Sequence, residues 1–262
     1  MFFTGVNDIL NQVVPAQIEN AHLEIEARER LKGFFMSHKG HDNRYGFWNS
    51  LILRTQESLA AQGRLFMIIF GPVKTNSQNK VIDWELLANE TIESHIMCEE
   101  VIGPLSFSLN SMISDVNLGN YAWSDHSIFN LLEEITTVPN SWTLDNFASL
   151  LILKPRLMYI ALQFRITYNL VNEAADLFHT INSVLHHWGV FYIEAVASVI
   201  LQIFRSLSSS QRRQFLSSYL MIEAQSLQEA LTTNPFDRDC FYVEMAIRRA
   251  VSPFILLLAT SI

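Results

Sequence analysis

GVFYIEAVASVILQIFRS, residues 189–206, places Val190, Ile193, Ala197, Ile200 and Phe204 at successive steps of three and four. That spacing puts all five on one stripe of an α-helix, whereas a strand would need alternation. The spacing predicts a buried helix from about Gly189 to Ser206. Immediately downstream, Leu216, Leu220, Ala224, Leu227 and Leu231 repeat the period, and Ser208 and Gln211 stand at capping-box spacing ahead of them. A helical hairpin is expected from the two segments.

Upstream, the same period recurs between proline and asparagine stops. Ile128, Leu131, Leu132 and Ile135 define a short helix that Ser124 or Asp125 can cap. It must end before Pro139, which lacks an amide hydrogen and disfavours helical geometry at Val138. Asn140, Ser141 or Thr143 can then cap a helix through Leu150 and Leu151. Pro155 suits the start of another, from about Arg156 to Tyr168, and Asn169 or Asn172 divides it from one carrying Leu177, Ile181 and Leu185. Nearer the N-terminus, Pro15 to Met36 reads as a more polar, more exposed helix, and Tyr45 to Phe70 as two helices broken near Gln62 and Gly63. Gly71 to Lys80 reads as a loop, Asp83 as the cap of a helix beginning at Trp84, and Pro104 and Gly119–Asn120 as the bounds of weaker helices. The fold class is therefore all-α, an irregular array of packed helical hairpins of the helical-repeat kind. The expected organisation is an N-terminal helical unit over 1–72, a loop over 73–83 and a main array over 84–262, with continuous packing of all three the alternative.

Composition agrees. Hydrophobic residues make up 49% and charged residues 17% of the 262, enough to bury helices on more than one face. A net charge of −8 with scattered Lys and Arg gives no footprint for nucleic acid and no basic face for an anionic membrane. Phe254 to Ile262 is too short to span a bilayer, and Leu150 to Leu162 is interrupted by Lys154, Pro155 and Arg156. Two distant cysteines, Cys98 and Cys240, and no charged n-region or cleavage site lead us to expect reduced thiols in an intracellular protein, nuclear or cytoplasmic.

No chemistry-bearing pattern is complete. His179 and His186 lie seven residues apart on one face with His187 adjacent, but no cysteine or carboxylate motif completes a metal site. The pairs His95 with Cys98 and His38 with His41 are equally short of a tetrahedral set. Gly71-Pro72-Val73-Lys74-Thr75 lacks the glycine that must precede the lysine of a phosphate loop, and Pro72 removes an amide donor. Ser124, Asp125 and His126 are neighbours that cannot converge on a helix, and the pairs Glu99–Glu100 and Glu133–Glu134 diverge onto a solvated face. The tryptophans, Trp48, Trp84, Trp123, Trp142 and Trp188, read mainly as core anchors, with interface contacts the alternative. Arg212–Arg213 and Arg248–Arg249 make only local, solvated basic patches. No catalytic, cofactor-binding or metal residue is assigned, no cofactor is expected, and the chain is read as a non-enzymatic module that binds protein.

The segment EITTVPNSWTLDNFASLLIL, residues 134–153, is similar to the F-box only protein 47 family through Glu134, Val138, Pro139, Trp142, Leu144, Asn146, Ala148, Leu150, Leu151 and Leu153. GRLFMIIFGP, residues 63–72, with Trp84 after it, resembles a second segment of the family in the same order. Looser similarity runs from about Leu23 through Phe47 and Trp48 and onward to about Ala230. The resemblance implies the helical region that follows an F-box, with protein substrate recognition as its task and ubiquitin-dependent control of meiotic prophase as its setting. No L-P-x-E/D opening precedes Leu23, so docking on Skp1 and cullin is expected only with an F-box encoded upstream. The matched residues themselves read as structural: Val138-Pro139 ends a helix, Trp142 anchors a corner, and Asn146 satisfies a backbone group at the joint. The partner-binding surface is left unassigned. A helical scaffold unconnected with ubiquitin is the rival reading.

Overall fold

The structure, a computed structural model, describes residues 21–36, 50–76, 79–114, 122–137, 139–189 and 194–233. The chain is all-α, an irregular helical array, with one short β-hairpin among the described residues. It divides into two compact units, 1–160 and 161–262.

In the first unit, α1 spans Ala21–Met36 and a helical turn at 50–53 leads to α2, Leu59–Phe70. Ser58 starts α2 by accepting the amide of Ala61 at 3.1 Å, so the helix break lies before Leu59 and the expected break at Gln62–Gly63 is overturned. Gly63 sits mid-helix for a packing reason. A Cβ there would lie 2.8 Å from Cγ of Glu134 and 3.6 Å from Cγ2 of Ile135, so its absence lets the helix carrying those residues approach. From Leu65 to Phe70 every side chain is buried, making α2 the centre of the unit's core.

Residues 73–82, expected as a loop, form an antiparallel hairpin, β1 Val73–Asn76 and β2 Asn79–Ile82, with Val73 opposite Ile82 and Thr75 opposite Lys80. The β-branched Val73, Thr75, Val81 and Ile82 favour strand over loop, and the Gly-Pro and Asn signals mark only the ends. The amide of Asp83 donates to the Pro72 carbonyl at 2.9 Å and closes the hairpin base. The next helix is α3, Leu86–Asn89, starting two residues later than expected; its N-cap is Glu85, without a side-chain capping bond, so Asp83 is not its cap and instead accepts the Glu85 amide ahead of the helix at 3.4 Å. It is followed by α4, His95–Val101, capped by Ser94, and α5, Gly103–Ser114, which holds Pro104 in its first turn where no amide is needed.

The expected caps hold in the next pair. Ser124 accepts the Ser127 amide at 3.1 Å to begin α6, Asp125–Ile135, and Thr143 accepts the Asn146 amide at 3.2 Å to begin α7, Leu144–Leu153. Helix α8, Pro155–Thr167, opens on its proline.

In the second unit, Asn169 takes φ +62° and separates α8 from α9, Val171–His187. The left-handed conformation is one that asparagine tolerates better than most side chains. Helix α10 spans Glu194–Ser206; Val190 and Ile193 lie outside the described residues, while Ala197, Ile200 and Phe204 are buried as the stripe requires. Ser208 and Gln211 form the capping box: Ser208 Oγ accepts the Gln211 amide at 3.3 Å and Gln211 Oε1 accepts the Ser208 amide at 3.1 Å, opening α11, Ser209–Thr233. Helix α11 packs chiefly along α9, through Phe178 against Phe215 and Tyr219, instead of pairing mainly with α10. Its buried stripe is Phe215, Ser218 and Tyr219, one residue out of phase with the expected Leu216, Leu220 and Ala224. Leu220 and Met221 are more than half exposed.

Candidate functional site

The stretch 134–153 is a helix corner held by polar groups aimed at backbone. Where α6 ends, the Thr136 hydroxyl donates to the Leu132 carbonyl at 2.9 Å, and the Trp142 amide donates back to the Thr136 carbonyl at 2.9 Å. The indole of Trp142 is buried at that turn. At the start of α7, Asn146 is 0% exposed and spends its whole amide group on α3 and the segment joining it to α4. Its Nδ2 donates to the carbonyls of Leu87 at 2.8 Å and Glu90 at 2.6 Å, and its Oδ1 accepts the Ile92 amide at 3.1 Å. Two carbonyls and one N–H face it, so only this orientation of the amide satisfies all three. The Thr143 amide adds a bond to the Leu87 carbonyl at 3.0 Å. Asn146 is therefore a clamp of the fold, as its sequence position suggested. Val138 lies outside the described residues.

The stretch 63–72 is tied in by a second polar node. Glu24, 4% exposed on α1, accepts from Arg64 Nη2 at 2.5 Å and from Trp84 Nε1 at 3.1 Å, while the Arg64 guanidinium lies 4.9 Å over the Trp84 ring. Burial raises the Glu24 carboxyl above its ordinary value; the Trp84 hydrogen bond and the Arg64 charge oppose that rise. Beside it, Arg28 donates to the Ile68 carbonyl at 2.8 Å, its guanidinium pushed down to about 10 by burial. The helix read as polar and exposed thus buries Glu24, Ala27, Arg28 and Leu31. The two stretches meet where Gly63 receives Glu134 and Ile135. Both are scaffold, and Glu134 lies against α2 instead of on the solvated face expected of it.

The remaining candidates do not assemble a reaction centre. Among the described residues no three His, Cys, Asp or Glu side chains gather where a metal could be held. Nε2 of His179 is 3.5 Å from Glu223 of α11, and its ring stands beside Tyr219. Cys98 is buried with its thiol 3.5 Å from the Ser149 carbonyl, and burial pushes that thiol up to about 12, so it stays protonated. Ser124 is a cap, Asp125 pairs with Arg156 at 2.6 Å, and His126 is exposed, so the three diverge. Gly71 ends α2, where a Cβ would lie 2.5 Å from the Met67 carbonyl oxygen, and Lys74 pairs with Asp83 at 3.0 Å. Trp123 and Trp142 are buried, and Trp84 and Trp188 are half-buried. Arg212, read as a solvated residue, instead donates to the carbonyls of Phe204 and Leu207 at 3.0 and 3.1 Å and seals the end of α10, while Arg213 is exposed. His38, His41, Trp48, Cys240, Arg248 and Arg249 lie outside the described residues. No described helix is long and apolar enough to cross a membrane.

Stacked helices joined by short capped corners, with polar groups spent on backbone, define a helical-repeat protein. The family model described as "FBXO47, ARM repeats" matches residues 2–262, and the chain belongs to that family. It is similar to the F-box only protein 47 of Mus musculus, 30% identical over 135 residues that make up 50% of this chain and 27% of that protein. The F-box only protein 47 of Homo sapiens is 27% identical over 135 residues, 50% of this chain and 26% of that protein. The matched segment thus spans about a quarter of the length of these curated relatives. No solved structure matches the chain.

Proposed function

We propose that this helical array is the substrate-recognition region of an F-box-type adaptor of an SCF ubiquitin ligase, working in meiotic cells by presenting a helical surface to a target protein. The family match over residues 2–262 carries the reading. The helical-repeat fold supports it, because buried polar groups such as Asn146 and Glu24 are engaged in holding the fold. In this reading the chain carries no catalysis of its own, and the ubiquitin chemistry belongs to its partners. Skp1 and cullin join through an F-box encoded upstream of the region, and the complex works in the nucleus or cytoplasm.

Co-purification from germ-line extract tests this, using the chain alone and a version extended upstream to any encoded F-box. Recovery of Skp1 and cullin by the extended chain only, with the same target protein on both, is the expected result. Recovery of neither ligase component would replace the reading with a helical scaffold unconnected with ubiquitin.

A further inference from the structure

Resting on the protein-interaction reading, we propose that the outer face of α4 is a docking surface for a cationic amphipathic segment of a partner protein, one large apolar side chain flanked by Lys or Arg. Ile96 is 72% exposed, the highest among the large apolar side chains described. The opposite side of the same helix is fully committed, with Cys98 and, just beyond the helix end, Ile102 wholly buried against the core. Glu99 and Glu100, three and four residues after Ile96, share its face, and Glu93 stands just ahead of the Ser94 cap; all three are exposed.

Along the chain on either side of this apolar residue the formal charge is of one sign. From residue 81 to residue 153 the chain contains no Lys or Arg. On the preceding hairpin Lys74 is taken by Asp83 and lies within the field of Glu85 and Glu90, while Lys80 stands on β2 opposite Thr75. Lys154, the next cation along the chain, lies 5.9 Å over the Phe107 ring of α5, so an exposed isoleucine beside the exposed carboxylates of Glu93, Glu99 and Glu100 disfavours an anionic partner and attracts one whose own apolar anchor is flanked by cations. Such a segment would cover Ile96 as the desolvated centre and meet Glu93, Glu99 and Glu100 as the charged rim.

The test uses the full chain, a fluorescein-labelled Lys/Leu amphipathic peptide and its Glu/Leu counterpart, read by fluorescence anisotropy over a range of salt. The Lys/Leu peptide is expected to bind and the Glu/Leu peptide not. Glu99→Gln with Glu100→Gln should weaken binding about tenfold at low salt and flatten its salt dependence. Ile96→Ser should weaken it about tenfold with the salt dependence kept. A control pair on α9, Glu173→Gln with Asp176→Gln, should leave binding unchanged. Equal loss in the control pair, or unaltered binding in both α4 variants, would overturn the proposal. All these side chains are exposed, so circular dichroism spectra should match the parent. Failure here with target recovery intact would remove only this surface, whereas loss of target recovery by the chain itself would remove the interaction reading.

Discussion

Replacing Asn146 with Ala removes three hydrogen bonds at once, and the three do not cost the same. The Leu87 carbonyl keeps its bond from the Thr143 amide, and Glu90 is exposed enough for water to replace part of what its carbonyl loses. The Ile92 amide, on a residue only 2% exposed, loses a buried bond of 3.1 Å. At about 1–3 kcal/mol for a buried group left bare and less for the others, with the small void added, the expected loss is about 2–3 kcal/mol. Asn146→Asp should be worse at neutral pH, because a carboxylate replaces the donor that faced two carbonyls. Burial and those carbonyls would raise its pKa, so its deficit should shrink as pH falls. Urea unfolding followed by circular dichroism measures the stabilities, and hydrogen exchange at Ile92 reads the local opening. An alanine variant within about 0.5 kcal/mol of the parent, or an aspartate variant no worse than alanine at neutral pH, would refute the clamp.

Three further outcomes follow from the same geometry. Gly63→Ala should destabilise the chain despite alanine's better helix propensity, and the loss should shrink in a Glu134→Ala background, where the clashing Cγ is gone; a double-mutant cycle in urea measures this coupling. Burial holds the Glu24 carboxyl above its ordinary 4.5, so its contribution to stability is full below the unfolded-state value and is lost as pH rises through the folded one. Glu24→Gln does not titrate and offers one acceptor oxygen where Glu24 uses two, Oε1 for Arg64 and Oε2 for Trp84, so it should begin less stable than the parent and the deficit should narrow as pH rises through the raised folded-state value; a parallel pH dependence of the two urea midpoints would contradict this. Ser208→Ala removes the cap of α11 and should cost about 1 kcal/mol, measured by the thermal midpoint, with Ser208→Thr largely restoring it.

Local chemistry made much of the array legible in the sequence. Ser124, Thr143, Pro155, Asn169 and the Ser208–Gln211 box each fixed a boundary through a group whose bonding needs are met within a few residues. The errors lie where the deciding partner is distant. Gly63 reads as a breaker until Glu134 is seen packed over it, and the helix from Ala21 reads as exposed because Arg64 and Trp84, which satisfy Glu24, stand 40 and 60 residues away. On α11 two stripes compete, and the one headed by Leu216 and Leu220 is as periodic as that of Phe215 and Tyr219. Contact with Phe178 on α9 selects the second. The hairpin was hidden because turn residues at its ends outweighed four β-branched residues in short strands. Of the interaction surface, only the solvated placement of Glu99 and Glu100 was legible. That Ile96 shares their exposure depends on which side of α4 meets the core.

The central claim, that this array selects the target of a ubiquitin ligase, is tested most directly by reconstituted ubiquitination. The assay would compare the upstream-extended protein with the same protein lacking residues 2–262, using the target that co-purifies with this chain. The account predicts that the deletion abolishes modification of the target while Skp1 and cullin still bind. Undiminished modification without these residues would contradict it.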